Sequence, residues 1–132
     1  MSQDELPPAV RRFLDEHIRS VAQLEVLLLL QANAGRCFSS AEVGRELRIE
    51  TAGAEAQLID LRNRGIVTSG DPDPSAYRYP PANAEVEAAV SVLAHVYAER
   101  RVTVISRIYS KPADPLRSFA DAFRIRKDLG NG

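Results

Sequence analysis

His95 and Glu99 stand four residues apart, the separation at which a helix sets an imidazole and a carboxylate on one face, as a metal pair would need. No second His or Cys lies near them in sequence and His17 is far along the chain, so the two read as a surface helix pair instead. Cys37 is the single thiol, which excludes an intramolecular disulfide and a thiolate metal cluster. Placed before a core-like Phe38, it reads as a small buried hydrophobe rather than a redox sensor. No Gly-rich phosphate loop, Ser-His-Asp set or close carboxylate dyad stands out in the sequence. Neither enzyme chemistry nor a cofactor is expected.

The 132 residues suffice for one domain with a modest core plus an extension, and 45% hydrophobic with 27% charged is an ordinary globular composition. The run "VLLLL" (Val26 to Leu30) is far shorter than the roughly 20 apolar residues that cross a bilayer. The opening "MSQDELPPAV" is acidic and lacks the apolar stretch of a signal peptide, so a cytoplasmic location is expected. A net charge of −1 hides an asymmetry. Residues 1–99 carry nine Arg against fifteen Asp or Glu (−6), and residues 100–132 carry eight Lys or Arg against three Asp (+5). Where the charge sits says more about partners than its total.

Periodicity supplies the elements. "AVRRFLDEHIRS" puts Val10, Phe13, Leu14 and Ile18 at helical spacing after Pro7-Pro8. It either runs into or abuts "SVAQLEVLLLLQANAG", where Ser20 offers a cap, Gly35 ends the element, and leucines on most sides imply burial. "RCFSS" reads as a brief extended piece. Ser39 or Ser40 then caps "AEVGRELRI", with Val43 and Leu47 inward. A further helix from about Thr51 to Arg64 carries Ala54, Leu58 and Leu61 on one side and stops at Gly65. "IVTS" and "AYRYP" read as two strands around the turn "GDPDPS". Alternation places Tyr77 and Tyr79 on one side of the second strand and Arg78 on the other.

A long helix is expected from Asn83 to Lys111, reaching roughly 43 Å at about 1.5 Å per residue. Val86, Val90, Leu93, Tyr97, Val104 and Ile108 form a near-heptad seam along it, interrupted at Arg100. The β-branched "VTVI" (Val102 to Ile105) leaves a strand or kink as the alternative there. Asp114 and Pro115 announce a short last helix with the apolar line Leu116, Phe119, Ala120 and Phe123.

Three stretches carry a resemblance: "SSAEVGRELRI", "LIDLRNRGIV" and "IVTSGDPDPSAYRY". Residues Val21 to Pro80 resemble the winged-helix superfamily of bacterial regulators, broadly the MarR, ArsR and PadR families. The Leu58, Leu61, Gly65 and Ile66 ending is similar to the close of their recognition helix. The resemblance implies a mainly α protein with a small two- or three-stranded β wing: a winged helix-turn-helix, a long C-terminal helix and a short amphipathic tail helix. It divides the chain into an N-terminal helix (1–19), the winged domain (20–81), a dimerisation helix (82–111) and a basic tail (112–132).

The resemblance also implies double-stranded DNA as partner, a homodimer joined along Val86, Val90, Leu93, Tyr97, Val104 and Ile108 together with the first helix, and a role in transcription regulation. Arg45, Arg48 and Arg78 would neutralise phosphates, and Thr51 and Gln57 would touch base edges. One departure stands out. The start of the implied recognition helix, "TAGAEAQ", carries few hydrogen-bonding side chains, and Phe38 to Pro81 holds seven acidic residues against five basic ones. The alternative is therefore a protein-interaction adaptor on the same fold, meeting its partner through Ala54, Ala56 and the wing tyrosines. Its tail, Phe119, Phe123, Arg124, Arg126 and Lys127, would seize an acidic partner. The same tail also fits packing on the first helix or a dimer mate, an anionic membrane surface, or DNA phosphates.

Overall fold

Pro7 and Pro8 cannot donate backbone hydrogen bonds, and the first turn of a helix needs none, so α1 (Pro8–His17) starts there. The computed structural model of the chain describes residues 6–70, 72–80 and 84–110. Extended backbone at Ile18 separates α1 from α2 (Val21–Ala32), so the two helices abut rather than run on. Ser20 caps α2 by accepting from the Gln23 amide at 3.0 Å. Gly35, at φ +90°, turns the chain out of it.

Ser39 rather than Ser40 caps α3 (Ser40–Leu47). Its hydroxyl accepts from the Glu42 amide at 3.1 Å while the Glu42 carboxylate accepts from the Ser39 amide at 2.9 Å. α4 (Thr51–Asn63) follows, and Gly65 at φ +77° ends it. β1 (Thr68–Ser69) and β2 (Tyr77–Arg78) then pair antiparallel, Thr68 opposite Arg78 and Ser69 opposite Tyr77. The outer side of β2 meets Phe38 in a single bridge, with Phe38 and Tyr77 exchanging both backbone bonds at 2.7 and 2.8 Å. The expected extended piece thus touches the hairpin at one residue.

The turn between the strands is built by Asp73, which accepts from the Ser75 amide at 3.0 Å and the Ser75 hydroxyl at 2.6 Å. Those bonds hold its carboxyl below the ordinary range. Gly70 is obligatory here, since a Cβ would stand 2.7 Å from the Asp73 carbonyl and 3.1 Å from Cys37 Sγ. Cys37 is half-buried beside this turn, not buried as expected, because it flanks the hairpin instead of facing the core.

The single long helix expected from Asn83 to Lys111 is two: α5 (Ala84–Glu99) and α6 (Arg101–Ser110), divided at Arg100. The β-branched run after the break stays helical. The division lets α6 lie against both α1 and α5, with the Arg107 guanidinium gripping the Asp15 carboxylate through two hydrogen bonds, Nε to Oδ1 at 3.0 Å and Nη2 to Oδ2 at 2.5 Å.

A further correction concerns the seam. Val90, Leu93, Tyr97, Val104 and Ile108 are buried in the chain's own core, and Val86 packs at its edge. The surface expected to join two copies is consumed within one. The contact of the first helix with the C-terminal helices exists, but inside a single chain. Tyr97 adds a polar anchor, its hydroxyl donating to Glu25 at 3.0 Å while Arg101 reaches the same carboxylate at 3.0 Å and covers the Tyr97 ring. Among the described residues no helix is long and apolar enough to cross a membrane.

Candidate functional site

Ala54, Leu58 and Leu61 are all fully buried and fasten one side of α4 against α2 and α3. The opposite side of its first two turns stands in solvent: Thr51, Ala52, Gly53, Glu55 and Ala56 are exposed and Gln57 is half-buried. Glu50 precedes the helix without a side-chain cap, so no capping side chain claims the first-turn amides of α4.

The α3–α4 turn is tight for a reason the sequence hides. Gly44 is buried, and a Cβ on it would lie 2.8 Å from the Ile49 carbonyl oxygen and 3.4 Å from the Thr51 amide. Only hydrogen at that position lets α4 begin so close to α3. The turn itself passes through Arg48 in the left-handed region (φ 58°, ψ 45°), a conformation that costs a side chain about 1–2 kcal/mol. The Ile49 amide closes it on the Gly44 carbonyl at 2.9 Å. The exposed Arg45 and Arg48 side chains flank this turn.

Glu55, expected to repel phosphate, has a structural task. It accepts hydrogen bonds from the Ser40 hydroxyl and, at 3.4 Å, from the Tyr77 hydroxyl, tying α3, α4 and β2 together. Burial first, then the Glu55 charge, push the Tyr77 phenol above its ordinary value. Tyr77 and Tyr79 are each only 2% exposed, and Arg78 between them is half-buried, as strand alternation requires. Burial and a bond donated to Glu87 likewise raise the Tyr79 phenol above its ordinary value.

This geometry sorts the expected residues. Arg45, Arg48 and Thr51 come together at one exposed turn, Gln57 lies two turns along α4, and Arg78 sits on the hairpin. The surface imagined for a protein partner does not form as expected. Ala54, Tyr77 and Tyr79 face the core, leaving Ala56 alone of that set exposed. Arg62 covers the Tyr77 ring at 5.5 Å. Arg64 donates to Asp60 at 3.1 Å and to the Glu16 carbonyl at 2.8 Å, joining the end of α4 to the end of α1. Gln23, buried in α2, completes that knot by donating to the same Asp60 carboxylate. Burial would raise the Asp60 carboxyl, but the bonds from Gln23 and Arg64 and the Arg64 charge outweigh it and lower its pKa.

Arg36, absent from the expected set, lies over the Phe38 ring at 4.4 Å and pairs with Glu42 at 3.6 Å. With Glu42, Arg45 and Glu46 it lines a shallow hollow beside α3. The Ser-x-x-Glu spacing of Ser39 and Glu42 would have placed Glu42 there from sequence. His95 and Glu99 form an exposed pair at 3.3 Å, and among the described residues no cluster of three His, Cys, Asp or Glu could hold a metal. Phe119, Phe123, Arg124, Arg126 and Lys127 lie outside the described residues.

No protein-family model matches the chain, and comparisons with curated proteins and with solved structures give no match either.

Proposed function

We propose that this chain is a winged helix-turn-helix module that binds duplex DNA as a transcription regulator, with α3 and α4 as the helix pair and the Thr68–Arg78 hairpin as the wing. The carrying observation is the two-sidedness of α4. One side is locked into the core, and its first two turns stand clear beside the exposed Arg45 and Arg48. In this reading Arg45 and Arg48 take phosphates, Thr51 and Gln57 reach base edges, and Arg78 follows the backbone from the wing. The uncapped first turn of α4 adds amides suited to a phosphate. Ala52, Gly53 and Ala56 permit close approach but read no base, so affinity rests on phosphates and selectivity is low. A homodimer is not part of the proposal, because the seam that suggested it faces inward.

Fluorescence anisotropy with labelled duplexes over roughly 50 to 200 mM salt tests it. Binding is expected to weaken steeply with salt. Arg78→Ala is expected to weaken all sequences alike and to flatten the log–log salt slope by about 0.9. An unchanged slope removes the phosphate role of Arg78, and absence of binding at the lowest salt overturns the reading as a whole.

One observation favours a second reading, a protein-interaction adaptor. Glu46, Glu50 and Glu55 share the exposed region with Arg45 and Arg48, so the face is near neutral. There Ala52, Gly53 and Ala56 would meet a partner's surface, and a complex that forms with protein but with no duplex would support it.

A further inference from the structure

We propose that Ile59 is a specificity residue of the duplex-binding face, packing its side chain against the C5-methyl of a thymine in the major groove. The proposal rests on the DNA-binding reading of α4 and adds the base that the site favours. Ile59 departs from the rule that its own residue class follows. The other half-buried Val, Leu and Ile side chains among the described residues pack against the hydrophobic core, Leu47 and Ile49 just before α4 among them. Ile59 is half-buried too, but it belongs neither to the core nor to that margin.

Helical geometry gives its direction. At about 100° per residue, Ile59 stands roughly 130° from the mean direction of the buried Ala54, Leu58 and Leu61. The exposed Ala52 and Ala56 lie within about 60° of it, so three apolar residues at four-and-three spacing share the outward side of α4. A helical Cα–Cβ bond tilts toward the N-terminus, which leans Ile59 over the turn that carries Ala56. The two alanines let the helix come close, and Ile59 supplies the larger aliphatic group that such an approach brings to the base edges.

The chemistry selects the partner group. An isoleucine offers no hydrogen bond, and the apolar group that a base presents in the major groove is the thymine methyl. A protein partner fits less well. Glu55 and Asn63 stand exposed on either side of Ile59, and one isoleucine with two alanine methyls falls far short of the roughly 800 Å² that a stable interface buries on each partner. A patch of that size suits a single methyl contact inside a groove whose walls are held by the arginines.

Fluorescence anisotropy of the full chain provides the test, with an A·T-rich labelled duplex and the same duplex carrying deoxyuridine in place of every thymidine. That replacement removes the methyl and keeps the pairing, the minor-groove edges and the phosphates. Loss of one methyl contact is expected to weaken binding about fourfold at an unchanged salt slope. Ile59→Ala is expected to bind both duplexes alike, and Ile59→Val to keep part of the preference. Because Ile59 is off the core, the melting temperature of Ile59→Ala should stay within about 3 °C of the parent. Equal affinity of the parent for both duplexes, or a preference that survives in Ile59→Ala, overturns the thymine contact and leaves DNA binding standing. Absence of binding to either duplex at about 50 mM salt overturns the DNA reading and this contact with it. A much larger fall in melting temperature would show that Ile59 serves the fold, and would overturn the contact as well.

Discussion

The layer formed by α1, α5 and α6 and the face formed by α3, α4 and the hairpin treat the same kind of helix in opposite ways. In the first, apolar side chains close on one another, and charged groups are joined across helices, as in Arg107 with Asp15 inside the layer and Arg101 with Glu25 of α2. In the second, the helix turns small residues to water, and Arg45 and Arg48 stand at an exposed turn. The lesson is a division of labour. The rear layer is built for cohesion, and the front is anchored in the core on one side of α4 while the other side stays open.

The sharpest way to break this contrast is to hollow the rear layer. Leu93→Ala is expected to cost about 2–5 kcal/mol, read by urea unfolding, with a midpoint that does not move with protein concentration. A midpoint that rises with concentration would mean that the seam joins two chains after all.

The front layer should answer to smaller changes. Gly44→Ala places a methyl against the Ile49 carbonyl; overpacking costs about 1–3 kcal/mol, and helix propensity returns up to about 1. A net loss of stability is expected, together with weaker DNA binding as α4 is pushed from α3. A stabilised variant would show that the close approach is not required.

Arg48→Gly should do the reverse. Removing the left-handed side chain relieves about 1–2 kcal/mol, less the extra freedom glycine gives the unfolded chain, for a gain of up to about 1. DNA affinity is expected to fall even as the melting temperature climbs, separating the turn's backbone from its charge. Parallel movement of both would erase that distinction.

The smallest expected effect lies at the join of the two layers. Burial first, and Arg64 as well, lower the His17 pKa below its ordinary 6.5 despite the raising influence of Glu16, whose carboxylate lies 3.6 Å away. The ring meets Phe13 in a tilted contact at 5.0 Å, and its Nδ1 is buried without a hydrogen-bond partner. The unfolded chain therefore takes up a proton at higher pH than the folded one. The contribution of neutral His17 is complete above about pH 6.5 and is lost as pH falls below it. Unfolding midpoints at about pH 7 and about pH 5 should differ less in His17→Gln than in the parent. Asp60 acts lower, its contribution complete above the ordinary carboxylate range and lost as pH falls through its depressed folded value.

Local features were legible because their causes are local. Ser20, the Ser39 region, Gly35 and Gly65 mark helix ends through bonds and backbone angles reaching at most four residues. The alternation of Tyr77, Arg78 and Tyr79 follows from strand geometry alone. The left-handed Arg48 was not legible, since nothing in an Arg announces positive φ and only the packing of Gly44 against Ile49 imposes it. Glu55 read as a surface carboxylate because its partners, Ser40 and Tyr77, lie 15 and 22 residues away.

By itself the sequence determined the apolar stripes that must leave water and the starts and stops of α1 to α4, because periodicity and capping are properties of short stretches. The tertiary structure alone decided what those apolar stripes meet. A stripe such as Val90, Leu93 and Tyr97 carries the same free-energy demand whether a neighbour in its own chain or another molecule satisfies it. Here α1 and α2, more than 50 residues earlier in the chain, supply the neighbours that cover it.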